Sequence, residues 1–411
     1  MSAGGKMSRL DELIAELCPD GVEYKTLLSV ANVLYGFPCD ASQFNAENSG
    51  MPLIRIRDVL EGTTNTYTTE IVPEQYKIYR DDILIGMDGN FHLGKWRSET
   101  AILCQRVCRI CSKDESTLVL NGFLYHLLKP LVKKIEDSKK GGTVKHLSAK
   151  DIKSMKIPLP PLEVQSEIVR ILDAFTELTA ELTAELEARK KQYEYYLDNF
   201  FGGSYEEMLA KAKDEMFALS KLSDVGKLTR GRRFVRDDVV EEGTPCFHYG
   251  DLYTYYGVCA TETKTHLPPE VAEKLRFARK GDVVIVGAGE NDEDIGIGVA
   301  WFGDKEAAVH DACYIFEHDM NPMYVSYYLR SRTYHTQIKK YVTSGKICAI
   351  SAEGIGKSLI PVYPLEKQEY IVSILDRFDK LCTELTAEIE ARRKQYEHYR
   401  DRLLTFKEKA A

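Results

Sequence analysis

Three groups of residues have types and spacings that could do chemistry. Cys104, Cys108 and Cys111 form a C-x-x-x-C-x-x-C run, and three thiolates at that spacing can hold the corners of an iron–sulfur cluster. Cys104 and Cys108 lie in Ala101–Ile110, however, which reads as a strand with Cys111 next after it, and cluster cysteines need a loop that turns them toward one centre. No fourth ligand follows at zinc spacing either. Pro19-Asp20…Glu23-Tyr24-Lys25 carries the letters of a metal-dependent nuclease site. Only two residues separate Asp20 from Glu23, too few to place both carboxylates around one metal. The third group is basic: glycine-hinged Lys and Arg loops that suit phosphate. Other chemistry is missing. There is no G-x-x-x-x-G-K-[ST] phosphate loop, and Gly287-Ala-Gly-Glu and Gly296-Ile-Gly lack the G-x-G-x-x-G frame. No D-P-P-Y or N-P-P-F tetrapeptide of an amino-methyltransferase is present either.

The basic residues are placed systematically. Between Asn121 and Ile157 stand nine Lys/Arg against three Asp/Glu, and between Asn321 and Pro361 six against one. The net charge of the whole chain is −8, so the distribution matters more than the sum. The first stretch contains Lys139, Lys140, Lys145 and His146, and the second contains Lys346 beside Gly345. A solvated helix face would explain either stretch alone; recurrence at one place in two halves favours phosphate contacts. Candidates for reading base edges are Asn90, His92, Lys95 and Arg97 in the first half. In the second half they are Arg230, Arg232 and Arg233 in one basic loop, and Asn291 after a strand. Arg and Lys match guanine edges and Asn matches adenine.

The elements that position these residues come twice. Pro161–Asp198 matches Pro364–Asp401 at a constant offset of 203, with 25 of 38 positions identical. Upstream the likeness is faint: Asp82-Ile-Leu-Ile pairs with Asp282-Val-Val-Ile, and Gly142…Ile152 with Gly345…Ile355. Each half is thus a diverged globular part followed by a near-identical helix. The globular parts read as mixed α/β, with strands at Ile83–Ile85, Ala101–Ile110, Val283–Val286 and Cys313–Phe316. Helices are expected from about Gly122 to Lys140 and from about Pro322 to Tyr341. In the long helices mostly apolar residues recur in steps of four and three from Ile168 to Phe200 and from Ile371 to Leu403, the average spacing of a coiled-coil seam. Arg189 and Arg392 interrupt the two seams at one equivalent place, which can fix register. Identical seams are self-complementary, so the helices are expected to pair.

At 411 residues, 44% hydrophobic and 29% charged, the composition is that of a multidomain globular protein. No run of apolar residues is long enough for a membrane span. Met1–Met7 has no apolar stretch, so no secretory signal is expected, and ten scattered cysteines suit reduced thiols in the cytoplasm.

The repeated segment Ile157-Pro-Leu-Pro-Pro-Leu-Glu-Val-Gln165, the Glu187-Ala-Arg-Lys-Lys-Gln-Tyr-Glu194 helix and their second copies resemble the specificity subunit of type I restriction-modification systems. The opening Leu10–Lys25 is also similar to that family's start, so the resemblance runs from about residue 9 to 407. It implies a first target-recognition domain over 1–157 with an N-terminal helix, and a coiled-coil helix over 158–202. A second domain over 203–360 and a second helix over 361–411 follow, the two helices pairing antiparallel. It further implies a non-catalytic subunit reading a bipartite site in double-stranded DNA, one domain per half-site. Two methyltransferase subunits carrying S-adenosylmethionine would bind the helices, and motor-nuclease subunits using ATP and magnesium would join for cleavage. This chain itself would bind no cofactor and no metal. The alternatives are a specificity module of another restriction class, a structural coiled-coil scaffold and, remotely, a radical-SAM enzyme using Cys104, Cys108 and Cys111. Iron and a brown colour would separate the last.

A tetrapeptide recurs inside the first helix, Thr179-Ala-Glu-Leu182 then Thr183-Ala-Glu-Leu186, and in altered form from Cys382 to Ile389. From Ile168 to Phe200 the helix spans about 50 Å at about 1.5 Å per residue. One extra Thr-Ala-Glu-Leu after Leu186 adds about 6 Å and turns the seam by only about 40°. The half-sites of the methylated motif should keep their bases while the gap between them grows by about one to two base pairs. Mapping that motif beside the parent's is the measurement, and an unchanged gap sinks the ruler.

Overall fold

The computed structural model describes residues 8–139, 145–213 and 217–410. Within it the chain forms two compact units, residues 1–181 with 388–411, and residues 182–387. Among the described residues no helix is long and apolar enough to cross a membrane.

The first unit is built around Ile83–Gly86, whose four residues are all buried. A strand apolar on both faces must be covered on both. Ile83 and Ile85 point into the core formed with Phe123, Leu124, Leu127 and Leu128 of the helix Asn121–Ser138. Leu84 points the other way, toward Ile54, Trp96, Leu103 and Val107. The sheet order is Ala31–Tyr35, Val107–Ser112, Ile83–Gly86, Leu93–Lys95, with every pair antiparallel. A second sheet covers the far face in the order Phe44–Asn45, Tyr67–Thr68, Met51–Ile54, Ala101–Leu103, Lys77–Ile78, with Leu53 parallel to Ile102. The expected single strand Ala101–Ile110 is two strands, because Arg106 adopts φ +71° and turns the chain between the sheets.

The second unit repeats this plan. Val283–Val286 is the central buried strand, in a sheet ordered Gly226–Arg230, Cys313–His318, Val283–Val286, Gly298–Trp301, Cys259–Ala260. A second sheet runs Thr265–Leu267, Thr244–Phe247, Ala307–Val309, Phe277–Ala278, again with one parallel pair, at Cys246 and Ala308. The expected helix from about Pro322 to Tyr341 is broken into Pro322–Tyr328, Arg332–Ile338 and a 3-10 turn, Lys339–Tyr341. Ser331 breaks it: its hydroxyl accepts from the Tyr334 N–H and starts a new helix.

Each globular part closes with a two-stranded ribbon, Glu23–Thr26 on Lys156–Leu159 and Ala218–Lys221 on Leu359–Val362. The long helices Leu162–Phe200 and Leu365–Leu403 then begin, and one glutamine fixes each start. Gln165 is fully buried; its oxygen accepts from Leu120 N–H (2.9 Å) and its amide donates to the carbonyls of Pro160 (2.8 Å) and Leu118 (3.1 Å). Gln368 does the same for Asn321 N–H (2.8 Å) and the Tyr363 carbonyl (2.7 Å). Two turns on, Asp173 accepts from His126 (2.7 Å) and Asp376 from the Tyr327 hydroxyl (2.6 Å). A carboxylate can only accept, so His126 Nε2 carries the proton and Nδ1 accepts from the Tyr396 hydroxyl (3.0 Å). Burial holds this imidazole below its ordinary pKa, against the pull of Asp173.

The helices pair as expected, in opposite directions. In the first unit Phe175 stacks on Tyr399 at 5.3 Å, and in the second Tyr196 stacks on Phe378 at 5.2 Å. The two seam arginines bind along their own helices, Arg189 to Glu185 and Arg392 to Glu388, both at 2.7 Å. These are i,i+4 pairs that let a charged residue lie at the seam's edge. Near the end of the first helix the buried residue is Leu197 rather than Tyr196, which is 39% exposed. A straight helix drifts off a 3.5-residue repeat, and Leu197 joins the second unit's core.

Gln165→Leu fills the same space but leaves one buried donor and two carbonyls without partners. It should destabilise the first unit by roughly 2–4 kcal/mol. Gln368→Leu should do the same to the second, and urea unfolding of each variant is the measurement.

Candidate nucleic-acid interface

In the first unit the residues singled out on two separate loops meet. Gly89 N–H donates to the Lys145 carbonyl (2.9 Å) and Leu147 N–H to the Met87 carbonyl (2.7 Å), pinning the two loops together. His146 Nδ1 lies 2.5 Å from Asp88, which also pairs with Arg106 at 3.0 Å. Lys139 is committed to Asp151 at 2.6 Å and Lys145 faces Glu136 at 3.7 Å. Burial works against the Asp151 charge, yet hydrogen bonds from Lys139 and Ser148 hold its carboxyl down at about 2. Lys140 lies outside the described residues. These loop cations therefore brace the loop as well as adding positive charge to it.

His92, Lys95 and Arg97 line a groove of about 330 Å³. Its other wall is one face of the helix Asn121–Ser138, carrying Tyr125, Lys129 and Lys133. The Lys95 ammonium lies 4.7 Å from the Tyr125 ring centre and that of Lys129 lies 4.4 Å from it. Asn90 is exposed on the loop before the groove. The sequence reading missed this wall. The signal was there: positions 125, 129 and 133 are spaced by four and share a helix face.

The second unit pins its loops in the same way. Cys348–Ala349 pairs with Ala288–Gly289, and Ile350 N–H donates to the Gly287 carbonyl (2.9 Å). This raises Lys346 and Ile347, both exposed, beside a groove of about 530 Å³ that Tyr249 and Glu290 also line. An adjoining groove of about 350 Å³ shares Ala288 and Ala312 with it and is lined by Arg230. Arg230 is tethered to the Asp311 carbonyl (2.7 Å) and Arg232 to that of Lys274 (2.6 Å). Arg233 is exposed and, among the described residues, makes no hydrogen bond or ion pair. Asn291 binds Asp294 (3.1 Å) in a loop that also holds Glu290, Asp292 and Glu293, a field that repels phosphate. A ring cluster missed from the sequence adjoins Tyr249: His248 at 4.6 Å and His310 at 5.6 Å, with Phe234 edge-on to His310 at 4.9 Å. Burial keeps both histidines below their ordinary pKa.

The other two chemical motifs do not assemble. Cys104 packs with Cys39 in one core cluster and Cys108 is buried in another, while Cys111, an odd number of residues along the strand, faces the opposite side from Cys108. Glu23 pairs with Lys25 at 3.2 Å on an exposed strand.

Tethered and free cations should behave differently. Arg233→Ala should leave the melting temperature unchanged and flatten the salt dependence of duplex binding by about one unit of slope. Lys139→Ala should lower the melting temperature by about one to two degrees, because it leaves Asp151 with Ser148 alone. Thermal melts and binding titrations across salt read both.

The family described as "Type I restriction modification DNA specificity domain" matches the chain twice, over residues 19–189 and 215–393. The EcoBI type I restriction enzyme specificity subunit of Escherichia coli is 42% identical over 159 residues, which are 39% of this chain and 33% of that subunit. That match thus spans a third of the relative's length. The EcoR124I/EcoR124II specificity subunit of Escherichia coli is 30% identical over 323 residues, 72% of this chain and 73% of the relative. The crystal structure of the type I restriction-modification S subunit from M. genitalium has a TM-score of 0.58 at 15% identity, covering 93% of this chain and 96% of that one. At that identity the likeness speaks for the fold. Two matched domains, a relative 30% identical over nearly three quarters of both chains and the shared fold agree: the chain belongs to the type I restriction-modification specificity family, as a DNA-recognition subunit with two target-recognition domains.

Proposed function

We propose that the two units read separate halves of a bipartite target in double-stranded DNA. The observation that carries this is the contrast between anchor and groove. Gln165 and Gln368 make equivalent anchors, as do Asp173 and Asp376. The grooves they hold are lined by different residues: His92, Lys95 and Arg97 in one, Arg230, Tyr249 and Lys346 in the other. Two equal frames with unequal reading surfaces suit two unequal half-sites. In this reading Arg97, Arg230 and Arg233 reach base edges or phosphates, and Lys139, Lys145 and Lys346 contribute mainly to affinity.

The outer faces of the long helices leave Leu178, Tyr195, Leu365 and Tyr370 exposed, apolar area suited to partner subunits. Two methyltransferase subunits supplying S-adenosylmethionine would dock there. Motor-nuclease subunits supplying ATP and magnesium chemistry would join them, in the cytoplasm where the DNA is. This chain contributes the address.

Replacing residues 20–157 with the corresponding unit of another family member should change one half of the methylated motif and leave the other intact. Methylome sequencing of cells carrying the hybrid with its methyltransferase reads the result. A change in both halves means that the units do not read independently.

A further inference from the structure

One cation in the first unit rests against aromatic rings. The helix Asn121–Ser138 places Lys129 beside its groove, with the ammonium 4.4 Å from the Tyr125 ring centre and 5.2 Å from that of Tyr396. Among the described residues it makes no hydrogen bond and no ion pair. Its neighbours repel it: Lys95 shares the Tyr125 ring, and Arg97 and Arg400 add positive charge. Arg400 is bound to Asp401 at 2.7 Å, and Asp173, the carboxylate facing Lys129, is held by His126. Lys133 offsets Glu136, a further group on the groove, at 3.4 Å. Burial first, then the charges of Arg400 and Lys95, bring the Lys129 ammonium down to about 8.

The second unit shows that the fold does not require this arrangement. Leu120 and Asn321 are equivalent helix caps, each held by its glutamine, so Lys129 corresponds to Arg330 and Tyr125 to Ser326. Arg330 is committed to main-chain carbonyls, those of Gly257 (2.6 Å) and Gly298 (3.2 Å). Ser326 donates to the carbonyls of Val258 (2.6 Å) and Gly298 (2.8 Å). There the position closes the domain internally. In the first unit the same position presents to an open groove a cluster of cations that Asp173 offsets only in part. Crowding half-buried cations is unfavourable until an anion joins them. An ammonium pair and a guanidinium suit a tetrahedral oxyanion, with point charges and a planar fork on its oxygens.

We propose that this groove seats one backbone phosphate of the bound DNA, with Lys129, Lys95 and Arg97 as its ligands. The proposal rests on the chain's reading as a DNA-binding subunit. The contact is independent of base sequence, so a duplex of random sequence, about 30 base pairs long, serves as the probe. Full-length chain is titrated against it by fluorescence anisotropy across salt and pH. Lys129→Met should weaken binding about tenfold at ~0.1 M salt and lower the salt slope by about one. Its melting temperature should not fall, because an unpaired charge has been removed. Arg330→Met, the internal control, should leave the slope unchanged.

The pH profile separates a phosphate ligand from a structural residue. Wild-type binding should weaken as pH rises through about 8 and Lys129 loses its proton in the free protein. Lys129→Arg should bind as tightly and lose that dependence, since arginine stays charged. If wild type binds the duplex and Lys129→Met matches it in affinity and slope, the phosphate seat is refuted while the DNA-binding reading stands. A wild type that binds no duplex overturns both. Loss of co-purification with the methyltransferase at an unchanged salt slope would assign the groove to an acidic segment of that partner instead.

Discussion

Everything recognition needs in this chain hangs on how a globular part is fastened to a long helix. The fastening is a buried glutamine. Gln165 and Gln368 satisfy main-chain groups from the segment before the domain's helix and from the turn before the long helix. A buried amide with its donors and acceptors used accepts one geometry and penalises others, because each lost bond leaves a main-chain group unpaired. Asp173 and Asp376 add a second point of attachment two turns further on, to His126 and Tyr327. Two points fix a direction. The pair of anchors thus sets how each reading surface is carried by its helix.

The fastening also explains why one half of each repeat varies and the other does not. Residues that touch the anchors or the seam are constrained by a partner elsewhere in the same unit. Groove residues meet solvent and are constrained only by what binds. The central strands keep their buried faces, Ile83–Gly86 and Val283–Val286, while the loops leaving them differ in length and charge. Asn291 shows the consequence. It follows the strand in the expected place, yet an inserted acidic 3-10 turn, Asp292–Asp294, surrounds it with carboxylates.

Charge is handled locally. The chain is acidic overall at −8, and loop positive charge in the first unit is already paired, Lys139 with Asp151, Lys145 with Glu136 and Arg106 with Asp88. Such pairs are partly exposed and each contributes little to stability. Their use is to hold the loops of the first unit in one conformation, so that less conformational entropy is lost when a ligand arrives. Among the described residues Lys95, Arg97 and Lys129 in the first unit, and Arg233 and Lys346 in the second, are cations without an ion pair that remain for the ligand itself.

The sequence alone determined what depends on periodicity and repetition. The offset of 203 residues, the seams of the long helices and the central strand of each unit are local patterns, and each local choice agrees with the fold. The tertiary structure decided what depends on residues meeting from a distance. Pairing of the loops at Gly89 and Lys145, or at Gly287 and Ile350, is carried by main-chain hydrogen bonds that no side chain announces. The turn at Arg106 and the break at Ser331 are single-residue events inside otherwise continuous patterns. Lys129 and Arg330 stand nine residues after equivalent helix caps, Lys129 within its helix and Arg330 in the turn after Tyr328, and each is one basic residue in the sequence. Their different employment comes from neighbours: main-chain carbonyls around Arg330, and tyrosine rings with other cations around Lys129. Electrostatic role depends on distance and burial, and only the folded chain sets those.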